Sequence, residues 1–148
     1  MDLNIEQLPI QPTVYMRRIG AYGPENHKLM EAMKEWATHH GLFDDSVIYG
    51  IAYDNENTPP EKCRYDVCLA AADCPMDESV RCGEIPAGKY AVFTIPHTAE
   101  AIQELYEALI QALQEKGLQF DDSKPILERY KKRLVDDGYC EFCVPVKE

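Results

Sequence analysis

Residues 105–109, Leu-Tyr-Glu-Ala-Leu, repeat the pattern of residues 29–33, Leu-Met-Glu-Ala-Met. Around both motifs the apolar side chains recur at the three- and four-residue spacing of an amphipathic helix. Each pattern ends at a Gly-Leu pair, at residues 41–42 and 117–118. Because glycine commonly ends helices, both stretches are predicted to be helices that occupy equivalent places in two related units.

The segments that flank the two helices also match each other, and they do so in the same order along the chain. The matching pairs are Leu8-Pro9 with Ile85-Pro86, Asp44-Asp45-Ser46 with Asp121-Asp122-Ser123, Tyr53 with Tyr130, and Asp66-Val67-Cys68 with Glu141-Phe142-Cys143. A shared order of several matches indicates an internal duplication. We therefore expect a single domain, residues 1–148, made of two tandem units at about 1–72 and 78–148.

Each unit is predicted to contain a strand, a helix and two further strands, because Tyr, Val, Ile and Cys are frequent in the segments around the helices. The predicted elements are Ile10–Ile19, Glu25–His40, Val47–Asp54 and Cys63–Ala71 in unit one, a further strand near Val80–Ile85, and Tyr90–Ile95, Ala99–Lys116, Pro125–Tyr130 and Tyr139–Val146 in unit two. One such unit buries little surface by itself. The predicted fold is therefore α+β, with the two units related by a pseudo-twofold axis and sharing one antiparallel sheet. A central groove at that axis would suit a small ligand.

The charge of the chain argues against nucleic acid as a partner. Its 148 residues carry 15 basic and 26 acidic side chains, a net charge of −11, which would repel a phosphate backbone and favours cationic ligands. The one basic cluster, residues 131–133, is interpreted as a solvated loop. No apolar run is long enough for a membrane span, and the N-terminus lacks the pattern of a secretory signal, so we expect no membrane partner and a cytoplasmic location.

The six cysteines are expected to be free thiols, as is usual in a reducing compartment. Cys140 and Cys143 form a C-x-x-C pattern, but residues three apart in a strand point to opposite faces, which argues against a zinc or redox pair. The four histidines show no metal-ligand spacing, and His39 and His40 are expected to end a helix. We predict no metal and no cofactor.

Five stretches of this chain resemble a signature of the GyrI-like, AraC effector-binding domains. They are residues 53–55, 58–68, 85–93, 128–130 and 141–146, and they follow one another in the family's order. The resemblance covers nearly the whole chain. It departs from the family at residues 113–118, where many relatives carry a Trp-Leu-Pro-like segment.

The resemblance implies a two-unit fold that binds drug-like molecules in its central groove, the basis of multidrug recognition. Members include ligand-sensing halves of transcription activators, stand-alone proteins that protect DNA gyrase from toxins, and stand-alone hydrolases of cyclopropane-bearing genotoxins. Because this chain starts almost at its first predicted strand, we expect no helix-turn-helix domain in it.

Glu128 is the first candidate for the ligand site. In the predicted strand it shares a face with Ile126 and Tyr130, and it matches the position of the carboxylate that the family places in its groove. A carboxylate among apolar and aromatic side chains has a raised pKa, which suits a partner for cations or a general acid or base. The alternative is a glutamate on an edge strand that points into solvent.

Further candidates for ligand binding are Tyr130, Glu141, Trp36, Tyr106, Tyr65 and Tyr90. Aromatic rings near a carboxylate form a site for flat or cationic organic molecules. Alternatively, Trp36 and Tyr106 are ordinary core residues on helical apolar stripes, and Glu141 and its counterpart Asp66 face solvent. Arg64 shares the face of Asp66 and is expected to neutralise it.

Two functions from different classes remain open at this point. One is a non-catalytic protein that binds an aromatic or cationic drug or toxin, in the manner of an antitoxin. The other is a hydrolase of strained electrophiles, with Glu128 as its catalytic residue. Regulation of DNA gyrase by protein contact is a third hypothesis, which rests on the resemblance alone.

Overall fold

The computed structural model describes residues 2–75 and 77–148. The strands are β1 Asn4–Leu8, β2 Gln11–Ile19, β3 Val47–Ala52, β4 Arg64–Ala70, β5 Arg81–Ile85, β6 Gly88–Pro96, β7 Leu127–Lys131 and β8 Tyr139–Pro145. The helices are α1 Pro24–His39, α2 Ala99–Glu115 and the short α3 Lys132–Asp136, and a single 3-10 turn covers Pro60–Lys62. Three of these elements, β1, α3 and the 3-10 turn, were not predicted from the sequence.

All eight strands join one antiparallel sheet, in the order β1-β6-β8-β7-β3-β4-β2-β5. The sheet curls into a half-barrel, and the predicted α+β class with an antiparallel sheet is confirmed. The order of the central six strands is symmetric about the β7–β3 pair: β7 corresponds to β3, β8 to β4, and β6 to β2. A duplicated unit with an axis between β3 and β7 would give this order, and the duplication itself stays a prediction.

The two edge strands, β1 and β5, each pair with a strand that is distant in sequence. β1, which leads into β2, pairs with β6, and β5, which leads into β6, pairs with β2. Each outer edge of the sheet is therefore formed by a strand that belongs in sequence to the other half of the chain.

The two long helices end in the same way. Gly41 and Gly117 adopt positive φ angles of 67° and 69°, which glycine accepts without steric penalty. The backbone N–H of the leucine after each glycine donates to a carbonyl five residues earlier, Leu42 to Ala37 at 2.8 Å and Leu118 to Leu113 at 2.9 Å. This is the Schellman arrangement, and it confirms that the two glycines end the helices.

Both long helices pack on one face of the sheet, and each covers its own core. Met33, Trp36 and Ala37 of α1 pack on β2, β3 and β4, whereas Leu105, Leu109 and Leu113 of α2 pack on β6 and β8. A third apolar cluster lies on the opposite face, inside the curl of the sheet. None of the helices in the described part of the chain is both long and apolar enough to cross a membrane.

The basic residues 131–133 are not a solvated loop. Lys131 ends β7, whereas Lys132 and Arg133 begin α3. Each basic side chain reaches a carboxylate, Lys131 that of Glu141 at 3.3 Å, Lys132 that of Asp136 at 2.6 Å, and Arg133 that of Asp45 at 2.6 Å. The loop interpretation was wrong, because strand and helix continue through this segment.

The expectation of six free thiols is also corrected. Cys74 and Cys82 form a disulfide, with their Cα atoms 5.8 Å apart, a separation usual for this bond. The remaining four cysteines, Cys63, Cys68, Cys140 and Cys143, are free and buried. Cys140 and Cys143 lie in clusters on opposite faces of the sheet, as their spacing predicts.

Thiol counting tests this pairing. In denaturant without reductant, four thiols should react with a chromogenic disulfide, and six should react after reduction. In the folded protein fewer should react, because burial raises the pKa of Cys68 and Cys143 to about 12 and that of Cys140 to about 11. Six reactive thiols in protein unfolded without reductant would contradict the disulfide.

Candidate functional site

A cavity of about 760 Å³ opens between α1 and α2, above the pairing of β3 with β7. One wall is α1, which contributes Asn26, His27, Met30 and Lys34, and the opposite wall includes Ala99 and Ile102 at the start of α2. The floor is the sheet, with Ile48, Tyr65, Glu128, Tyr130 and Phe142. The volume lies in the range usual for sites that bind small organic molecules.

Glu128 lies on the floor of this cavity. Leu127 and Arg129 point to the face opposite the helices. Because side chains alternate along a strand, Glu128 between them points to the helical face. The hydroxyl of Tyr65 donates to Glu128 Oε1 at 3.1 Å, and the hydroxyl of Tyr130 donates to the same oxygen at 2.9 Å. Oε2 accepts no hydrogen bond from the described residues, so this oxygen is free for a ligand.

Gly50 provides the room for this cluster. It is the partner of Glu128 across the β3–β7 pairing, and a Cβ atom at Gly50 would lie only 2.6 Å from Glu128 Oε1 and would overlap the Tyr65 hydroxyl. The site therefore requires a residue without a side chain in the middle of β3.

Burial raises the pKa of Glu128 above its ordinary value of 4.5, although the hydrogen bonds from Tyr130 and Tyr65 act in the opposite direction. Burial and the nearby Glu128 charge also raise the pKa values of both tyrosines, which therefore stay protonated and act as donors. No cationic side chain of the described residues forms an ion pair with Glu128.

The two lysines on the cavity wall already have acidic partners. Lys34 lies 3.4 Å from Glu31, and Lys132 lies 2.6 Å from Asp136. Among the described residues that line the cavity, Glu128 is therefore the one carboxylate without a cationic partner. A ligand that carries a positive charge would supply that partner.

The structure brings three of the seven predicted site residues together, namely Glu128, Tyr65 and Tyr130. Tyr106, on α2, is 48% exposed and does not line the cavity itself, but its ring packs edge-on against Phe142 of the floor, with ring centres 5.8 Å apart. Tyr106 therefore lies at the margin of the site.

The other three predicted residues lie elsewhere. Trp36 is buried in the α1 core, where its indole N–H donates to Asp77 at 2.8 Å and its ring stacks on His40. Tyr90 and Glu141 lie on the face of the sheet opposite the helices. Trp36 thus follows the alternative stated for it, an ordinary core residue on an apolar stripe.

The carboxylates on the opposite face are not in solvent. Glu141 is 7% exposed and receives two hydrogen bonds of 2.9 Å from the Arg129 guanidinium, which also donates to Glu6 of β1. Although burial alone would raise the pKa of Glu141, Arg129 holds it below its ordinary value. The solvent-facing alternative for Glu141 is wrong, because β7 places an arginine beside it.

Asp66 is 2% exposed, and Arg17 of β2 neutralises it through two hydrogen bonds of 2.6 and 2.9 Å. Arg64 instead pairs with Asp54. The expected Arg64–Asp66 pair was wrong, since Arg17 is the direct cross-strand partner of Asp66.

His97 lines the cavity and was not predicted from the sequence. Its ring lies 5.3 Å from that of Tyr130, and burial, with a smaller contribution from Lys34, lowers its pKa, so it is neutral at pH 7. The only sequence signal for it is its place just before Thr98, the residue that caps α2 by accepting a hydrogen bond from the Ala101 N–H. The start of a helix that borders a groove is a natural place for a lining residue.

A curled antiparallel sheet with two helices on one face, and an unpaired carboxylate under a cavity between them, defines a small-molecule-binding domain. Residues 1–147 match the family described as GyrI-like small molecule binding domain. The chain belongs to this family, and the predicted resemblance is confirmed.

Two relatives match along nearly their whole length. YosT, an SPbeta prophage-derived protein of Bacillus subtilis (strain 168) whose name assigns it to the transcriptional regulators, is 39% identical over 150 residues, covering 99% of this chain and all of YosT. A protein of Dickeya dadantii (strain 3937) named DNA gyrase inhibitor 1 is 24% identical over 147 residues, 96% of this chain and 95% of that protein.

Solved structures share the fold at low sequence identity. EcmrR in a complex with DNA has a TM-score of 0.75 at 16% identity, and the match covers 99% of this chain and 57% of EcmrR. SAV2435 bound to tetraphenylphosphonium gives 0.64 at 16% identity, with 99% and 94% covered. A hydrolase from Listeria innocua gives 0.63 at 10% identity, with 98% and 91% covered.

The first prediction from the site concerns Gly50. Gly50→Ala should lower the free energy of unfolding by about 1–3 kcal/mol, the usual effect of overpacking, because the added methyl group overlaps the Tyr65 hydroxyl and Glu128. Chemical denaturation measures the loss. Tyr65→Phe in the same background should recover part of it, since that change removes the overlapping oxygen. A Gly50→Ala protein as stable as the wild type would contradict the close packing at this pairing.

The second prediction concerns pH. Because folding raises the pKa of Glu128, the folded protein holds this proton more tightly than the unfolded chain does, so its stabilising effect is complete below pH 4.5 and is lost as pH rises through the folded pKa. The melting temperature of Glu128→Gln relative to the wild type should therefore increase between pH 4 and pH 8. Glu104→Gln, on the exposed surface of α2, is the control and should show no such trend. A pH-independent difference for Glu128→Gln would contradict the raised pKa.

Proposed function

We propose that this chain binds aromatic organic cations and acts in drug or toxin resistance in the cytoplasm. The observation that carries the proposal is Glu128, an unpaired carboxylate with one free oxygen on the floor of a cavity large enough for a drug-sized molecule. A buried charge without a partner is unfavourable, so a cationic ligand would stabilise the ionised form.

The walls of the cavity suit the rest of such a ligand. Met30, Ile102 and Phe142 present apolar or aromatic surface, and the rings of Tyr65 and Tyr130 lie beside Glu128. Aromatic faces attract cations, which adds to the attraction of the carboxylate. The tetraphenylphosphonium bound to SAV2435 supports this ligand class, since that protein shares the fold.

Two isosteric ions of opposite charge test the proposal. The wild type should bind tetraphenylphosphonium, measured by isothermal titration calorimetry at pH 8, and should bind tetraphenylborate far more weakly. Glu128→Gln should weaken tetraphenylphosphonium binding by about 1–3 kcal/mol, or about 5- to 150-fold, as expected for losing a charge-assisted interaction. Glu104→Gln is again the control and should bind like the wild type. If the wild type and Glu128→Gln bound the cation with equal affinity, Glu128 would not contribute to the binding site.

Hydrolysis of a strained electrophile is the second candidate function. It is favoured by the geometry of Glu128, because Oε1 is fixed by two hydroxyls while Oε2 is free to accept a proton from a water molecule. The name of the Listeria innocua hydrolase, which shares the fold, agrees with this candidate. Turnover of a cyclopropane-bearing electrophile that Glu128→Gln abolishes would favour the enzyme, and wild-type binding without turnover would favour the binder.

A contact with DNA gyrase is supported by the name of the Dickeya dadantii relative. In the function proposed here, the partner of this chain is a small organic molecule, and neither nucleic acid nor a membrane takes part in its recognition. A pull-down of purified gyrase with this chain, with and without tetraphenylphosphonium, would separate a protein-contact role from ligand binding.

A further inference from the structure

A second cavity, of about 370 Å³, lies on the face of the sheet opposite the helices, inside the curl. Its apolar lining comes from Ile51, Ile85, Tyr90 and Leu127, which belong to the third core cluster. Because the sheet separates the two cavities, this one shares no lining residue with the cavity above Glu128.

A guanidinium lies at one end of this second cavity. Arg17 stands between the rings of Tyr15 and Tyr53, with its central carbon 5.7 Å and 5.6 Å from the two ring centres. Nε and Nη2 donate to Asp66, whereas Nη1 has no hydrogen-bond partner within residues 2–75 and 77–148. The side chain of Arg17 is 30% exposed, which leaves room for a ligand at Nη1.

Lys124 adds a second cation to the lining. Its ammonium reaches the carbonyl of Ala87 at 3.4 Å and forms no ion pair within 4 Å in the described part of the chain, although it lies near enough to the Asp121 carboxylate to help lower the pKa of that group. Two carboxylates belong to the lining residues. Asp66 is neutralised by Arg17, and the side chain of Glu84 points to the other face, because β5 alternates and Ile85 points into the cavity.

The lining of this cavity therefore offers free cationic donors, although the chain as a whole is acidic. Arg17 and Asp66 cancel, which leaves the ammonium of Lys124 and the free N–H groups of Arg17, in a protein of net charge −11. A guanidinium with free donors is well suited to a carboxylate. An anion held there would place its apolar body against Ile51, Tyr90 and Leu127.

We infer that this cavity is a second ligand site, which takes a small carboxylate with an apolar or aromatic body, such as an arylalkanoate. The carboxylate accepts hydrogen bonds from Arg17 and is attracted by Lys124. Tyr90, predicted from the sequence to contact a ligand, lies on the wall of this site. The inference does not depend on the cation site, since no residue of the second cavity faces Glu128.

The test compares 3-phenylpropionate with its uncharged amide, both titrated into the full chain and followed by calorimetry and by two-dimensional NMR. The wild type should bind the carboxylate about tenfold more tightly than the amide, as expected for a charge-assisted hydrogen bond. The NMR shifts should change at Ile51 and Tyr90, and not at Tyr65 and Tyr130. No preference for the carboxylate, or shifts at Tyr65 and Tyr130 instead, would overturn the inference.

Three variants test which side chains cause the preference for the carboxylate over the amide. Arg17→Gln combined with Asp66→Asn removes the guanidinium without leaving Asp66 as an unpaired buried carboxylate, and it should remove most of the preference for the carboxylate, leaving only the contribution of Lys124. Lys124→Met, at a partly exposed position outside the strands, should reduce that preference about threefold and keeps the test open if the double variant does not fold. Glu128→Gln should leave it unchanged. A preference that survives both changes, or that disappears in Glu128→Gln, would show that the second cavity does not hold the ligand.

Discussion

The pairing of Gly50 with Glu128 is the constraint on which the site depends. These residues face each other where β3 meets β7, the junction at which the two halves of the sheet join. A side chain at position 50 would occupy the space of the Tyr65 hydroxyl, so the carboxylate could not keep both of its tyrosine donors. The absence of one Cβ atom thus permits a hydrogen-bonded carboxylate on the floor of a cavity, at the centre of the fold.

Because side chains alternate along β7, an unpaired carboxylate lies on one face of the sheet and a paired guanidinium lies on the other. Glu128 faces the cavity without a cationic partner, whereas Arg129, the next residue, faces the other side and binds both Glu141 and Glu6. Arg129, Glu141 and Glu6 pair with one another within the protein, and the Arg129–Glu6 contact links β1 to the central strand β7. A buried charge whose partners are present within the protein is compensated, whereas a buried charge without a partner is available for a ligand.

The periodic parts of the fold could be predicted from the sequence, because period and capping are local properties. The two helices, their glycine ends and the faces of Cys140 and Cys143 all follow from local pattern. The strand β1 could not be predicted this way, since its five residues are held by pairing with β6, which is distant in sequence. The helix α3 is too short to show a clear helical period.

The site was predictable only in part, for the same reason. Glu128 and Tyr130 lie two residues apart on one strand, so alternation alone placed them on one face. Tyr65 joins them through the register of β4 with β3, and Asp66 pairs with Arg17 and not with Arg64 because register decides which side chains meet across strands. Tyr90 lies on the opposite face because Ala91, its neighbour, packs beneath α2.

The raised pKa of Glu128 couples the proposed binding of a cation to the loss of a proton. In the absence of a ligand, protonation removes the buried charge at a pH where an exposed glutamate would already be ionised. A cation favours the ionised form, so below the folded pKa its binding is accompanied by release of the proton. A neutral ligand provides no such gain and can use only the apolar walls. In the proposed site the ionised carboxylate of Glu128 provides the selectivity for cations. The two tyrosine hydroxyls donate to Oε1, which leaves Oε2 as the oxygen for which a proton and a cation would compete.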